Sequence, residues 1–276
     1  MTTLLLLLIA IGFAPLAVGA YLMRRSSRGV WPTVRVGSLI LCALAFNLTF
    51  FWHELWLVIP KALTPGLHPI LYHNDHDWTG HAPTVELLQG TGALATLASG
   101  LACSAALILA RRTGVTWRIF LFWMAFEGLY QSLSQLAIGA LLPGNDVGRA
   151  LAYLHAGAAA KWALLAFAVA AMALAGAWLA RAYPSSGERA EGIAATALLA
   201  IVLIVPFRAP RDMVEVALIP LFVNLAGAGW LVLGAAIARP RDATESRDRV
   251  GFIGPALALG LTLLLFQLVL RHGIAF

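Results

Sequence analysis

The stretch from Asn47 to His81 reads NLTFFWHELWLVIPKALTPGLHPILYHNDHDWTGH and predicts how the whole chain is organised. Its first part is hydrophobic enough for a helix and carries the pair His53-Glu54 near its far end. Its second part is a loop with four more histidines: His68, His73, His76 and His81. Side chains that can bind a metal or move a proton are therefore concentrated in one part of the chain.

The rest of the composition indicates an integral membrane protein. The 276 residues are 61% hydrophobic and 12% charged, with a mean hydropathy of +0.83. Soluble domains are roughly 45–50% apolar and about a quarter charged. The basic pI of about 9.9 does not indicate a nucleic-acid partner here, because the arginines lie at the ends of apolar runs, where anionic lipid and insertion orientation explain them. Cys42 and Cys103 lie in apolar runs and are predicted to be small buried side chains, not a disulfide.

The predicted fold class is all-α: a polytopic helical bundle, residues 1–276 as one transmembrane domain. About 20 apolar residues cross a bilayer core of about 30 Å. Apolar runs predict eight spans, at 4–23, 36–59, 85–110, 119–142, 162–180, 193–207, 214–238 and 250–270, with the His-rich loop at 61–84. A short interfacial helix is predicted before the fifth span, from Val147 through His155.

The distribution of Lys and Arg predicts the orientation of these spans. Thirteen basic residues fall on one side: Arg24, Arg25, Arg28, Arg35, Arg111, Arg112, Arg118, Arg181, Arg189, Arg239, Arg241, Arg247 and Arg249. Six fall on the other: Lys61, Arg149, Lys161, Arg208, Arg211 and Arg271. The first side is therefore predicted to be cytoplasmic, in a bacterial inner (plasma) membrane, with both termini and the His-rich loop outside. All seven histidines, including His155 and His272, then belong to the outer side, which is the predicted functional face.

His53-Glu54 is the first candidate for chemistry, because ionisable groups near a membrane are costly unless they are paired, hydrated or bound to metal. The letters HEL match the start of the HExxH zinc helix, but Leu57 stands where the second His would be. Further ligands would have to come from the loop, with His73 and His76 three residues apart, or from a later turn. The alternatives remain open: an interfacial pair that reaches water or headgroups, and an ordered His/Asp loop without metal.

The later turn is Pro143-Gly144-Asn145-Asp146, after the fourth span. Together with His53-Glu54 it resembles site-2-protease-like membrane metallopeptidases, which pair an HExxH helix with a later Pro-rich segment whose Asp completes the zinc site. The resemblance implies that His53 and Asp146 are zinc ligands and that Glu54 is the base that activates a metal-bound water. It covers two short patches. The predicted site opens outward, whereas the site of that family is reached from the cytosol.

The second candidate is a polar stripe in the fourth span. Glu127, Gln131 and Gln135 recur every four residues and so share one helix face, and Glu127 is predicted to be buried against protein. Two interpretations stay open: a polar track or proton path towards Asp146, or contacts between helices in which the amides bind Asn47, Gln89 or Gln267. A third group, of glycines, is predicted to mark close helix packing: Gly90, Gly92, Gly100, Gly227 and Gly229.

The sequence thus predicts an outward-facing site for a divalent metal, with zinc as the first choice. The predicted ligands are His53, His73, His76 and Asp146, with Glu54 as the base and His53 close enough to Asp146 to share an ion. The predicted activity is that of a metallohydrolase on a membrane-embedded or interfacial substrate. Two alternatives belong to other classes: a transporter or channel-like protein that uses the Glu127/Gln131/Gln135 track, and a non-catalytic membrane subunit whose His-rich loop docks a partner subunit.

Overall fold

The structure is a computed structural model that describes residues 2–24, 33–110, 112–183, 189–209, 211–238 and 251–276. Some positions used in the sequence analysis lie outside the described residues: Arg25, Arg28, Arg111, Arg239, Arg241, Arg247, Arg249 and the first residue of the last predicted span, Val250.

Helices make up most of the described chain, which confirms the predicted helical class. They are α1 (Thr2–Arg24), α2 (Val36–Ala62), α3 (Val85–Leu88), α4 (Gly90–Leu109), α5 (Val115–Leu141), α6 (Asp146–Tyr153), α7 (Ala158–Ala182), α8 (Ala190–Leu199), α9 (Ile201–Arg208), α10 (Ile219–Ile237) and α11 (Ile253–Leu268). A π-helical turn, Val214–Leu218, leads into α10, and a 3-10 turn, Leu270–His272, follows α11. Each predicted span contains a helix, with α8 and α9 together in the sixth, and α6 lies where the short interfacial helix was predicted.

Seven helical segments of the described residues are long and apolar enough to cross a membrane: Leu6–Arg24, Val36–Ala62, Val85–Leu109, Ala158–Ala182, Ala190–Arg208, Val214–Ile237 and Ile253–His272. The remaining predicted span, α5, has 27 residues but is less apolar, because it carries the Glu127/Gln131/Gln135 stripe. It packs against α2, α4, α7 and α10, and its Trp123 and Tyr130 are fully buried. Its polar groups therefore face other helices of the protein, where they cost less free energy than they would against lipid.

Glycine allows the central helices to approach closely, as predicted. A Cβ on Gly100 of α4 would come within 2.7 Å of the backbone of Gly128 on α5. In α10, Gly227 lies against the rings of Phe126 and Tyr130, and Gly229 lies against Leu16 of α1. The neighbouring backbone at Gly100 and Gly229, and the rings at Gly227, leave no space for a side chain.

The His-rich segment 61–84 is not an irregular loop. It forms a hairpin of β1 (Leu67–Leu71) and β2 (His76–Gly80), with Leu71 opposite His76, and β3 (Ile274–Ala275) pairs with β1 on its other edge. Every second residue of β1 is buried, namely Leu67, Pro69 and Leu71. This alternation of buried and more exposed residues is typical of a strand that is buried on one face. The all-α prediction therefore lacked this small sheet, which packs on the end of α2.

Candidate functional site

The candidate site lies at one end of the bundle. Here the C-terminal part of α2 meets the hairpin, α6 packs against α3, α4 and the end of α5, and α9 packs against α2. His53 and Glu54 are consecutive on α2, so their side chains point about 100° apart around the helix. As a result His53 faces α4, α5 and α6, whereas Glu54 faces the hairpin.

His53 is 3% exposed and has a polar partner on each of three helices. Its Nε2 lies 3.5 Å from Oδ2 of Asp146 on α6 and 3.4 Å from Nε2 of Gln135 on α5. Its Nδ1 lies 3.3 Å from Oγ1 of Thr96 on α4. The predicted proximity of His53 and Asp146 is therefore confirmed. The sequence analysis missed Thr96, although it lies one helical turn after Gly92, which is also part of this contact.

The hydrogen bonds of Thr96 determine which imidazole nitrogen carries the proton. The Thr96 hydroxyl donates to the carbonyl of Gly92 at 2.8 Å, so its oxygen accepts the N–H of Nδ1. Nε2 of neutral His53 then carries the lone pair and accepts from the amide of Gln135. When Nε2 takes up a proton it donates to Asp146 instead. His53 and Asp146 are thus arranged as a base and the carboxylate that stabilises its charged form.

Gly92 makes the space for the imidazole. A Cβ at Gly92 would lie 2.7 Å from Cε1 of His53 and 2.8 Å from Cγ of Leu57. The glycine predicted to serve helix packing therefore packs on the candidate site itself. Leu57, which occupies the second position of the incomplete zinc motif, is fully buried beside it.

Asp146 is the first residue of α6, whose N-cap is Asn145: the Asn145 side chain accepts from the backbone N–H of Gly148 at 2.7 Å. Burial would raise the pKa of Asp146. The hydrogen bond from His53, the charge of His53 and the charges of His76 and Lys61 outweigh burial and bring this pKa below its ordinary value. The carboxylate is therefore ionised, and the N-terminus of α6 also favours its negative charge.

Glu54 belongs to a second cluster. Its Oε2 lies 2.8 Å from Nδ1 of His76, and both side chains are nearly buried. Ligand atoms of Glu54, Asp75 and His76 all lie within 4.8 Å of one another, and in the part of the chain that the structure describes this is the group of three that could hold a metal ion. Nε2 of His76 is buried and has no hydrogen-bond partner. Two carboxylates and an imidazole suit a divalent transition metal.

The predicted ligands are thus divided among three places. His76 joins Glu54 and Asp75, His53 joins Asp146, and His73 joins neither. The hairpin causes this division. Two side chains three residues apart share one face only in a helix. Here His73 lies in the turn of the hairpin and His76 is the first residue of β2, so the two side chains point to different places. Glu54, predicted as the base, lies where a ligand would lie.

His73 is buried against α11, with its ring centroid 5.7 Å from that of Phe266. Neither ring nitrogen makes a hydrogen bond within normal geometry. Burial lowers the pKa of His73 to about 4 and outweighs the Phe207 backbone, which acts in the opposite direction; the positive charges of Arg208, Arg211 and Arg271 add smaller effects in the same direction as burial. These surroundings suit a neutral packing residue.

The polar stripe of α5 extends to the site. Glu127 is fully buried, as predicted, and accepts from the amide of Gln131 at 3.2 Å and from the thiol of Cys42 at 3.8 Å. The predicted amide contacts to neighbouring helices are different from those observed. Asn47 donates to its own helix at Ala43, Gln89 contacts Lys61, and Gln267 donates to Pro206. Gln135 instead contacts His53, so the stripe and the His53–Asp146 pair are continuous.

Two buried cations were treated in the sequence analysis only as part of the charge count. Lys61 is fully buried and donates to the carbonyl of Leu57 at 2.9 Å, with its ammonium 4.8 Å from the centre of the Trp78 ring. Arg208 is 2% exposed, donates to the carbonyl of Glu215 at 2.7 Å and lies 4.1 Å from the centre of the Phe50 ring. Lys61 follows Glu54 by two helical turns. This spacing predicts that both side chains lie on the same face of α2, so the position of Lys61 near Glu54 could have been inferred from the sequence.

The remaining four histidines, His68, His81, His155 and His272, are exposed. Each lies in or next to an element of the same end of the bundle, which is the sorting of histidines that the sequence predicted. No protein-family model, curated protein or solved structure matches this chain. Function is therefore argued from the site alone.

Proposed function

We propose that this protein is an integral membrane metalloenzyme that hydrolyses a membrane-embedded or interfacial substrate at its outer face. One observation carries the proposal: the group Glu54–Asp75–His76 and the pair His53–Asp146 share one end of the helical bundle, on consecutive residues of α2. The first supplies ligands for a divalent ion, and the second supplies a base.

The surface of the bundle supports a membrane location. Besides its seven long apolar helices, the protein exposes large aliphatic side chains along α11, among them Leu257, Leu261 and Leu268, each more than 60% exposed. Soluble monomers rarely expose continuous apolar faces, whereas lipid covers them at no cost. The excess of Lys and Arg in the loops assigned to the other side, counted along the sequence, supports an outer position of the site.

The chemistry follows from the two clusters. A divalent ion held by Glu54, Asp75 and His76 would keep positions open for water and substrate, and such an ion lowers the pKa of bound water. Nε2 of His53 would accept a proton from water and return it to the leaving group, while Asp146 stabilises the protonated ring. Glu54 then serves as a ligand in place of the base predicted from sequence. Zinc is our first choice, because its usual ligands include both imidazole and carboxylate.

The test is the metal content of the purified full-length protein, measured by mass spectrometry after growth with zinc, manganese or iron. We expect about one metal ion per chain in the wild type and loss of it in Glu54→Gln and His76→Ala. His68→Ala is the matched control, because His68 lies in the same hairpin but is exposed, and it should keep the metal. A wild type without metal in all three media, or equal content in all variants, would overturn the proposal.

A second candidate function is proton-coupled transport along the stripe of α5. The contact between Gln135 and His53 favours it, because it links the buried Glu127 region to the outer site. Full burial of Glu127 argues for the first candidate, since a transport path needs access to water at that depth. The behaviour of Glu127→Gln, described in the Discussion, distinguishes the two.

A further inference from the structure

The cations around the site differ in whether they have a carboxylate partner. Arg149 is paired in a two-point contact with Glu86, at 2.6 and 2.8 Å, and Arg211 is paired with Asp75 and Glu215. Lys61 and Arg208 take part in no ion pair within the described ranges. They are also the two most buried of the four.

Both unpaired cations border the candidate metal group. Phe50, Glu54 and Lys61 lie within about 40° of one another around α2, because each residue advances by about 100°. Arg208 lies over the ring of Phe50 and Lys61 begins two turns beyond Glu54, so the two cations lie on either side of Glu54 along the helix. The charge of Lys61 also acts on Asp146. The charge of Glu54 acts on both cations and that of Asp146 acts on Lys61, so both cations lie near the metal group.

Neither cation has a carboxylate in direct contact, although Glu54 and Asp146 act on Lys61, and Glu54 and Glu215 act on Arg208, from a longer distance. A buried cation is costly unless an anion or a set of hydrogen bonds accompanies it. Nη1 of Arg208 is buried and has no hydrogen-bond partner, and Lys61 reaches only a carbonyl and the amide oxygen of Gln89. Glu54 is bonded to His76 and, once a divalent ion is bound, its charge is offset by that ion. The divalent ion, Lys61 and Arg208 then carry four positive charges against the three negative charges of Glu54, Asp75 and Asp146, so the loaded site has a net charge of about +1.

We infer that this excess binds a phosphate group, held between the Glu54–Asp75–His76 metal group and the side chains of Lys61 and Arg208. The inference rests on the proposed function and names the chemical class of its ligand: a phosphate group, carried either by a lipid with a terminal phosphate, as substrate, or by free phosphate, as product. A phosphate monoester carries about −1.5 to −2 charges at pH 7 and three strong acceptor oxygens. A guanidinium, an ammonium and a metal ion can each take one of these oxygens. A carboxylate, with two oxygens and one charge, would leave one of the three unpaired.

The experiment measures stabilisation of the full chain by phosphate. Thermal unfolding is followed in detergent with and without inorganic phosphate, in the metal-loaded and the metal-free protein, at constant ionic strength. A ligand that binds only the folded state raises the free energy of unfolding by RT ln(1 + L/Kd), where L is the concentration of free ligand, so the melting temperature rises with phosphate concentration and reports the affinity. We expect phosphate to raise it in the loaded wild type, and Lys61→Met and Arg208→Gln to weaken the apparent affinity at least tenfold. Arg149→Gln is the control and should keep wild-type affinity, because Arg149 is partly exposed and already paired.

The source of the phosphate is determined in a second arm with nanodiscs. Phosphatidylcholine discs that contain phosphatidic acid are compared with discs that contain phosphatidylglycerol, which supplies the same sign of charge without a terminal phosphate. Stabilisation by phosphatidic acid alone identifies a lipid headgroup, and stabilisation by inorganic phosphate alone identifies a soluble ligand. Both results support the inference. Equal effects of the two lipids, with no effect of inorganic phosphate, contradict it.

Failure of the inference and failure of the proposed function give different results. Metal without a phosphate effect overturns the inference and leaves the metal site. A phosphate effect that depends on Lys61 and Arg208 in a protein that binds no metal supports the anion site and overturns the metalloenzyme. If the two variants do not fold, acetate is compared with phosphate in the wild type. An equal effect of acetate then overturns the assignment to phosphate.

Discussion

Nε2 of His53 and Oδ2 of Asp146 lie 3.5 Å apart and join the C-terminal half of α2 to the start of α6. The pair is held from both sides: Thr96 and Gln135 fix the imidazole, and the Asn145 N-cap fixes the first turn of α6. Its neighbour in sequence, Glu54, is bonded to His76 of the hairpin. One turn of α2 therefore connects two polar clusters with different chemistry.

The close approach of Gly92 to His53 predicts a large effect of a single methyl group. Gly92→Ala places a Cβ 2.7 Å from Cε1 of His53, and overpacking of this kind costs about 1–3 kcal/mol. We expect a lower melting temperature together with a displaced His53. Gly260→Ala in α11 is the control, since nothing lies within 4 Å of its Cβ, and it should be neutral or stabilising by about 0.5–1 kcal/mol. Similar melting temperatures for both variants would contradict the packing described here.

The division of the predicted ligands predicts which substitutions spare the metal. His73→Phe should keep it, because His73 packs on Phe266 away from the metal group, and Asp146→Asn should keep it because Asp146 serves His53. His76→Ala should lose it. Metal content per chain is measured for all three variants. If His73→Phe or Asp146→Asn loses metal as fully as His76→Ala, that residue is a ligand and the division described here is wrong.

Substitutions of Glu127 distinguish a structural role of this residue from a role in transport. Its carboxyl accepts from Gln131 and Cys42 and lies in no ion pair within the described ranges, so a neutral amide of the same shape should fit. We expect Glu127→Gln to keep the melting temperature and the metal. Glu127→Leu should cost about 1–3 kcal/mol, because the Gln131 amide loses its acceptor. If Glu127→Gln keeps its stability but no longer carries ions or substrate into vesicles, transport becomes the better candidate function than hydrolysis.

The proposed orientation predicts a labelling pattern. In a Cys103→Ser background, a cysteine at the exposed Asp77 of β2 should react with a membrane-impermeant maleimide in intact cells. A cysteine at the exposed Arg181, at the opposite end of α7, should react only after permeabilisation. Cys42 is buried and should not interfere. The reverse pattern would place the site on the cytoplasmic side.

Much of the helical framework was predictable because its signals are local. Apolar runs bounded by Arg, Pro and Gly placed each of the long helices to within a few residues, as α2 and α5 illustrate. The hairpin was missed because its alternating pattern is short and consists only of Leu67, Pro69 and Leu71. β3 could not be predicted, since two residues at the far end of the chain become a strand only by pairing with β1.

The sequence by itself determined that the histidines collect at one end of an apolar bundle and most of the basic residues at the other, because the alternation of long apolar runs dictates the end to which each loop belongs. It also determined the burial of Glu127, since a lone carboxyl in mid-helix must face protein. Only the tertiary structure decided which of these groups meet. The register of the hairpin brings His76 to Glu54, and the close approach of α4 at Gly92 sets His53 against Thr96, Gln135 and Asp146. Such contacts depend on packing between segments far apart in the chain, about which spacing along one segment carries no information.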